Sequence, residues 1–165
     1  MNIRLGIAYG MMVVWLLASC NSQTRYHQFR HINQGKWWQG DTVRFDIPLS
    51  DSLQRHELTL QLRHTSEYPY SDLAIGMQYF SPDSQLTRTT QYNIQLTAPK
   101  GYWIGSGQGG IYQLNIAQTI LPPTSAGTWH VNLFHAMSDS ILLGVHDVGI
   151  KISALPAGIN TQKDK

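Results

Sequence analysis

The one cysteine of this 165-residue chain, Cys20, lies in a context that suits covalent attachment of a lipid. Leu17, Ala18 and Ser19 precede it, and the order Leu, Ala, Ser, Cys matches the lipobox of lipoprotein precursors at every position. The small side chains fit the active site of a signal peptidase, and a thiol can take a diacylglycerol group as a thioether. The sequence therefore predicts that residues 1–19 are removed and that Cys20 becomes a lipidated N-terminus.

The segment before Cys20 has the layout of a cleaved signal peptide. Arg4 gives it a positive start, and residues 5–17 form an apolar run that is shorter than the ~20 residues a spanning helix needs. Two other interpretations are an ordinary secretory signal before a free cysteine, and a transmembrane anchor. Because a single acyl chain gives only marginal binding, at least two chains on Cys20 would be needed for stable anchoring to a membrane.

A glycine-rich segment at residues 105–110 formally contains the GxGxxG pattern of dinucleotide-binding loops. That chemistry needs a helix after the glycines, whereas an alternating strand pattern follows here from Ile111. Ser106 does not fit a nucleophile elbow either, because Ile104 stands where the first glycine is required. We therefore interpret the segment as a loop whose glycines take positive φ or allow a close backbone approach.

The seven histidines show no spacing typical of a metal site; they are His27, His31, His56, His64, His130, His135 and His146. Asp139 and Asp147 lack the alternating oxygen pattern of a calcium loop. Neither paired acids nor a nucleophile with its base is recognisable. The sequence therefore predicts a protein that is not an enzyme, with no cofactor and no metal.

Aromatic residues come in adjacent groups: Trp37 with Trp38, Tyr68 and Tyr70 around Pro69, and Tyr102 with Trp103. Successive side chains of a strand point to opposite faces, so at least one of Trp37 and Trp38 should lie near the surface. The groups either cap the core or form a binding surface, since Tyr and Trp dominate binding hot spots. Our hypothesis for a partner-binding surface contains Trp37, Trp38, Tyr68, Tyr70, Trp103, Gly105 and Gly107.

The composition limits the classes of partner. The chain has 12 basic and 10 acidic residues, and the basic ones are scattered, so we expect no nucleic-acid partner. With Cys20 taken by lipid no disulfide can form, and packing alone must stabilise the domain. We predict a leader at 1–19, a lipidated tether at 20–25, one domain at 26–155 and a polar C-terminal tail at 156–165.

Most of the chain alternates apolar and polar residues with period two, which is typical of half-buried strands. The cleanest run has Leu58, Leu60 and Leu62 on one face, so we expect Leu60 in the core and Gln61 on an outward face. Turn residues separate the runs, and no helical period is sustained after the leader. The pattern predicts an all-β, antiparallel sandwich of about eight strands, of immunoglobulin-like or jelly-roll type.

The chain resembles the gliding-motility lipoproteins of the GldH type over nearly its whole length. The matching residues are Gly35, Trp37, Gly40, Asp41, Phe45, Arg63, Tyr68, Pro69, Tyr70, Leu73, Gly101, Trp103, Gly105, Gly107, Ile111, Tyr112, His135, Met137, Gly144, Val148 and Gly149. The resemblance implies a membrane-anchored accessory of the gliding or type IX secretion apparatus, with other envelope proteins as partners and no enzymatic activity.

Two expectations about location and function remain. No acidic residue follows Cys20 within residues 21–25, which favours a periplasm-facing protein over one exported to the cell surface. An alternative function is a carbohydrate-binding lipoprotein module that stacks sugars on Trp37, Trp38 and Trp103. Exposed, coplanar indoles would favour that alternative, and buried ones would favour an interaction or scaffold protein.

Overall fold

The structure, a computed structural model, describes residues 24–50, 55–83, 86–121 and 126–155. Within these ranges the chain forms eleven strands and one short 3₁₀ turn at Asn33–Gly35. The strands are β1 Thr24–His31, β2 Lys36–Trp38, β3 Val43–Leu49, β4 His56–Thr65, β5 Asp72–Phe80, β6 Leu86–Gln95, β7 Ser106–Gln108, β8 Ile111–Leu121, β9 Gly127–His135, β10 Ile141–Leu143 and β11 Val145–Ala154. No helix of the described residues is long and apolar enough to cross a membrane.

The strands form two main antiparallel sheets and one small one. A five-stranded sheet has the order β1-β11-β4-β8-β7, a four-stranded sheet has the order β3-β9-β5-β6, and β10 pairs with β2. The predicted antiparallel β-sandwich is confirmed, but with eleven strands rather than about eight. The difference comes from β2, β7 and β10, which have three residues each and are too short to show alternation, and from β1, whose sequence is mostly polar.

The core lies between the two main sheets and is built from the predicted alternating positions. Phe45 and Ile47 of β3 and Leu60 and Leu62 of β4 are fully buried, and Leu133 of β9 joins them. Burying one such side chain contributes about 1.5–3 kcal/mol, so the alternating runs supply most of the driving force for the sandwich.

The outer face of β4 is covered as well, and the expectation that Gln61 lies on an open face is wrong. Gln61 is buried because β4 lies in the middle of the five-stranded sheet with long side chains on either side. His27 Nε2 of β1 donates to Gln61 Oε1 at 2.7 Å, and Gln61 Nε2 donates to Asn115 Oδ1 of β8 at 2.9 Å. A row of polar contacts therefore closes the face that alternation alone marks as open.

The two ends of the sandwich differ in their distance from Thr24, the first described residue. Thr24 pairs with Ser153 at the end we call the Thr24 end. The opposite end, which we call the distal end, consists of residues 32–42, 66–71, 96–110 and 136–144. Thr24 and Arg25, which were expected in the tether, belong to β1. Cys20, the leader and the tail at 156–165 lie outside the described residues.

Candidate functional site

An aromatic cluster forms the centre of the distal end; it consists of His64, Tyr68, Trp103 and Tyr112. The His64 ring stacks on Tyr112 with 5.5 Å between ring centroids, and Trp103 meets it edge-on at 4.6 Å. Tyr68 closes the cluster, with its centroid 5.7 Å from that of His64. A single bridge between Thr97 and Trp103 holds the loop that carries the indole. The cluster therefore joins two loops, those of Tyr68 and Trp103, to β4 and β8.

His64 is a buried, neutral member of this cluster. Its Nδ1–H donates to the carbonyl oxygen of Thr65 at 2.9 Å, while its Nε2 is buried with no hydrogen-bond partner among the described residues. Burial lowers the pKa of His64, with a smaller opposing effect of the bond to Thr65. The imidazole therefore packs as an aromatic ring and does not face solvent as a base.

Tyr68 and Tyr70 link the cluster to the neighbouring loop at 136–140. Tyr68 is buried and donates its hydroxyl to the carbonyl oxygen of Asp72 at 2.8 Å. Burial, reinforced by the nearby Asp72, raises the pKa of Tyr68 far above its usual range. Tyr70 donates its hydroxyl to the Asp139 carboxylate, and this bond raises the pKa of Tyr70. Both phenols therefore act as hydrogen-bond donors that hold the loops together.

Trp37 and Trp38 take opposite environments, which confirms the expectation that at least one of them lies near the surface. Trp37 is 1% exposed, donates Nε1–H to the carbonyl oxygen of Asp41 at 3.1 Å and contacts His135 edge-on. Trp38 is 51% exposed on the other face of β2, where it pairs with Ile141 of β10. Of the two indoles, Trp38 is the one presented to solvent.

The glycine-rich segment forms part of a hairpin: Ser106–Gln108 is strand β7 and not a loop, whereas the expected positive φ is found at Gly105, Gly109 and Gly110. Gly109 and Gly110 take φ of 61° and 80° in the two-residue turn between β7 and β8, a geometry that favours glycine. Gly105 allows a close approach, because a Cβ there would lie 2.5 Å from the carbonyl oxygen of Gln113. A Cβ on Gly107 would lie 2.9 Å from the Tyr112 ring, so Gly107 packs beside the aromatic cluster.

The structure thus brings the sequence-predicted residues to one end of the molecule, although not to one exposed surface. Tyr68, Tyr70, Trp103 and Gly107 are connected through the aromatic cluster. Trp37 and Trp38 reach them through β10 and the loop at 136–140. The buried Trp37 and the half-buried Trp103 leave no platform of three exposed indoles, which disfavours the carbohydrate-binding alternative.

Exposed large apolar side chains of the described residues are concentrated at the distal end. They are Trp38 at 51%, Tyr102 at 70%, Ile104 at 38% and Leu143 at 48%. Beside Trp38 lies an open cavity of about 530 Å³, lined by Lys36, Trp37 and Asp41 among others. A cavity flanked by an exposed indole and by charges of both signs can accept a side chain of another protein.

A polar row crosses the five-stranded sheet from β1 to β8, and it was not predicted from the sequence. The strand register places His31 opposite Asp147, Asp147 opposite Arg63, and Arg63 opposite Gln113. His31 Nδ1 donates to Asp147 at 3.2 Å, Arg63 Nη1 donates to Asp147 at 3.4 Å, and Arg63 Nε donates to Gln113 at 2.8 Å. Four residues that are far apart in sequence therefore form one hydrogen-bonded line.

A β-bulge at the start of β11 adds His146 to the polar row. The register shifts between Val145 and Asp147, so His146 and Asp147 both face outward although they are adjacent. His146 Nδ1 donates to Asp147 Oδ2 at 2.9 Å. Burial alone would raise the pKa of Asp147, but hydrogen bonds from His146, His31 and Arg63 outweigh it and lower the pKa. The adjacent His146 and Asp147 were the one sequence signal for this cluster.

Comparison with known proteins gives a match to one family and two relatives. The family model of the GldH lipoprotein matches residues 24–152. A gliding motility lipoprotein GldH homolog of Christiangramia forsetii is 25% identical over 86% of this chain and 91% of its own length. The gliding motility lipoprotein GldH of Flavobacterium johnsoniae is 24% identical over 86% of this chain and 92% of its own length.

Comparison with solved structures gives matches at low similarity. The VP2 subviral particle of infectious bursal disease virus aligns with a TM-score of 0.40 at 11% identity, over 80% of this chain. The chain spans 33% of that viral protein.

Proposed function

Because this chain belongs to the GldH lipoprotein family, we propose that it is a non-catalytic, membrane-anchored component of the gliding or type IX secretion apparatus. In this proposal the distal end binds another protein of the cell envelope, and the sandwich serves as its rigid support. The observation that carries the proposal is the concentration of exposed Trp38, Tyr102, Ile104 and Leu143 at that end.

The distal end combines the features of a protein-binding surface. Loops on a rigid scaffold commonly carry binding residues, and buried aromatic anchors supply most of the affinity of such surfaces. Here the aromatic cluster fixes the loops from below, while Trp38 and Tyr102 extend from them into solvent. A partner would cover these apolar side chains and fill the cavity beside Trp38.

The position of Thr24, the first described residue, supports a surface that faces away from the membrane. In our proposal Cys20 carries the lipid and the domain lies on the periplasmic side. Cys20 precedes Thr24 by four positions, so the anchor reaches at most about 14 Å from the Thr24 end. The eight residues of β1 then extend about 23 Å toward the distal end. The binding surface is therefore presented to proteins that stand off the bilayer.

The polar groups of the distal end support a structural role over a catalytic one. His64 is buried and neutral, Tyr68 bonds a backbone carbonyl, and Tyr70 bonds Asp139. Each of these groups is directed at a neighbour within the protein. A catalytic acid or base has to reach a bound substrate. The Nδ1–H of His64 and the hydroxyls of Tyr68 and Tyr70 instead donate hydrogen bonds within the protein.

The proposal is tested by capture of partners from crosslinked membranes of the source cells. Replacing Trp38 and Tyr102 together by serine should reduce recovery of the partner at least about tenfold, because hot-spot aromatics are lost. Both side chains are exposed, so the fold should survive, and the variant should unfold at the wild-type denaturant concentration.

Thr128→Ala provides the matched control, since Thr128 is exposed on β9 near the Thr24 end. It should recover the same partners as wild type. Equal recovery by the folded double variant would reject the distal end as the binding surface. We avoid Trp103 and Gly107 for this test, because Trp103 packs on His64 and a side chain at Gly107 would press on Tyr112.

A further inference from the structure

Two imidazoles and one carboxylate converge at the edge of the polar row, outside the aromatic cluster. One donor atom from each of His31, His146 and Asp147 lies within 4.8 Å of the others. Both histidines direct Nδ1 at Asp147, at 3.2 Å to Oδ1 and at 2.9 Å to Oδ2. We propose that His31, His146 and Asp147 form a binding site for a divalent transition-metal ion of the zinc class.

Each imidazole lies at a distance from the Asp147 carboxylate that allows both to bind one such ion. Zinc–nitrogen and zinc–oxygen bonds are about 2.0–2.2 Å long, so neighbouring ligand atoms of a tetrahedral site lie roughly 3.3 Å apart. The measured separations between Nδ1 and the carboxylate oxygens are 3.2 and 2.9 Å. The ion takes the place of the two Nδ1 hydrogens, and each imidazole then carries its hydrogen on Nε2.

The ligands are positioned by the fold and not by a flexible loop. Strand register places His31 of β1 opposite Asp147 of β11, and the bulge turns His146 to the same face. Arg63 donates to Asp147 Oδ2 from β4, and its guanidinium lies 3.7 Å from the centroid of the Phe29 ring. Metal-binding carboxylates are commonly oriented by such a second hydrogen bond. The positive charge of Arg63 also weakens binding of a cation, so we expect moderate affinity.

The surroundings leave room for the remaining coordination position. A cavity of about 280 Å³ is lined by His31, His146 and Glu67 among others. On the other side of His146 a groove of about 420 Å³ reaches Arg63 and Gln113. Water can therefore complete the coordination of an ion held by three protein ligands. Two imidazoles with one carboxylate suit zinc and its neighbours in the transition series better than calcium or magnesium, which prefer oxygen ligands.

The test is a zinc titration of the mature lipidated chain in detergent, after treatment with a chelator. Isothermal titration calorimetry should show saturable binding of one zinc ion per chain in wild type. His31→Ala and His146→Ala should each weaken that binding at least about tenfold, because each removes a ligand. The side chain of His31 is 59% exposed, so its replacement leaves the core intact.

His130→Ala is the matched control. Its imidazole also bonds a carboxylate, that of Asp46 at 2.6 Å, but on the four-stranded sheet and with a single histidine. It should bind zinc as wild type does, and zinc should raise its unfolding temperature by the same amount. The proposal would be overturned if wild type showed no detectable zinc binding. It would also be overturned if the folded His31→Ala and His146→Ala variants bound zinc as tightly as wild type does. Neither result depends on the partner proposed for the distal end.

Discussion

Gln61 connects three strands of the five-stranded sheet through its one side-chain amide. Gln61→Ala would leave His27 Nε2 and Asn115 Oδ1 without this partner. His27 and Asn115 are exposed and can bond to water instead, so the loss is that of two net hydrogen bonds of about 0.5–1.5 kcal/mol each, and we expect the free energy of unfolding to fall by about 1–3 kcal/mol. Denaturant titration measures the change.

Gln91→Ala is the control for this prediction. Gln91 is an exposed glutamine in β6, at the edge of the other sheet, so its loss should change stability by no more than about 0.5 kcal/mol. Leu60→Ala, next to Gln61 but in the core, should cost about 2–5 kcal/mol. Equal, small effects of the two glutamine variants would contradict the bridging role of Gln61.

His64 makes the stability of the distal end depend on pH. Burial lowers the pKa of His64 below the ordinary value of 6.5, so below that pH the unfolded chain binds a proton that the folded chain resists. The free energy of unfolding therefore falls as the pH drops through about 6.5 toward the lowered pKa. Burial lowers the pKa of His135 as well, which adds a loss in the same direction.

His64→Phe should reduce this pH dependence, because it keeps a ring beside Trp103 and Tyr112 but cannot be protonated. Denaturant titrations at about pH 7.5 and about pH 5 should show a smaller loss of stability in the variant than in wild type. At the higher pH, the difference in stability between the variant and wild type reports the loss of the hydrogen bond from His64 to Thr65. An unchanged difference between the two pH values would show that His64 does not contribute.

The connections between strands differ in how strictly they require glycine. Gly110 and Gly144 have nearly the same positive φ, 80° and 79°. A Cβ on Gly110 would meet nothing within 4 Å, whereas one on Gly144 would lie 2.5 Å from the backbone nitrogen of Tyr68. Gly144 joins β10 to β11 and lies against the backbone of Tyr68, a member of the aromatic cluster.

This pair separates backbone strain from steric contact. Gly110→Ala should cost about 1–2 kcal/mol, the usual penalty for a side chain at positive φ. Gly144→Ala should cost about 2–5 kcal/mol, because overpacking against Tyr68 adds to the same strain. Thermal or denaturant unfolding compares them, and equal costs would mean that the Tyr68 backbone moves aside freely.

The long strands could be predicted from the sequence, whereas the side-chain contacts that depend on strand register could not. Alternation identifies β3, β4 and β9 because their inward residues are apolar and their outward ones mostly polar. It cannot identify three-residue strands such as β2. The aromatic cluster was partly predictable from adjacent aromatics, but the polar row was not. His31, Arg63 and Asp147 meet through strand order and a bulge, and neither is encoded in a local pattern.

At the scale of the whole molecule, Thr24, the first described residue after the predicted lipidation site, and the distal end lie at opposite ends of β1. Cys20→Ala should abolish fatty-acid labelling and release the protein from membranes, or leave an uncleaved precursor, because the thioether cannot form. Metabolic labelling with membrane fractionation measures both effects. Equal labelling of wild type and variant would refute lipidation at Cys20.

The position of β11 has a consequence for how the protein is made. This last strand lies between β1 and β4, and Thr24 pairs with Ser153. The five-stranded sheet therefore cannot assemble until Val145–Ala154 is available. Pairing of residues so distant in sequence makes folding slow. We therefore expect that a precursor with the predicted leader stays unfolded until this strand has been synthesised, and that the sandwich closes after the strand has been translocated.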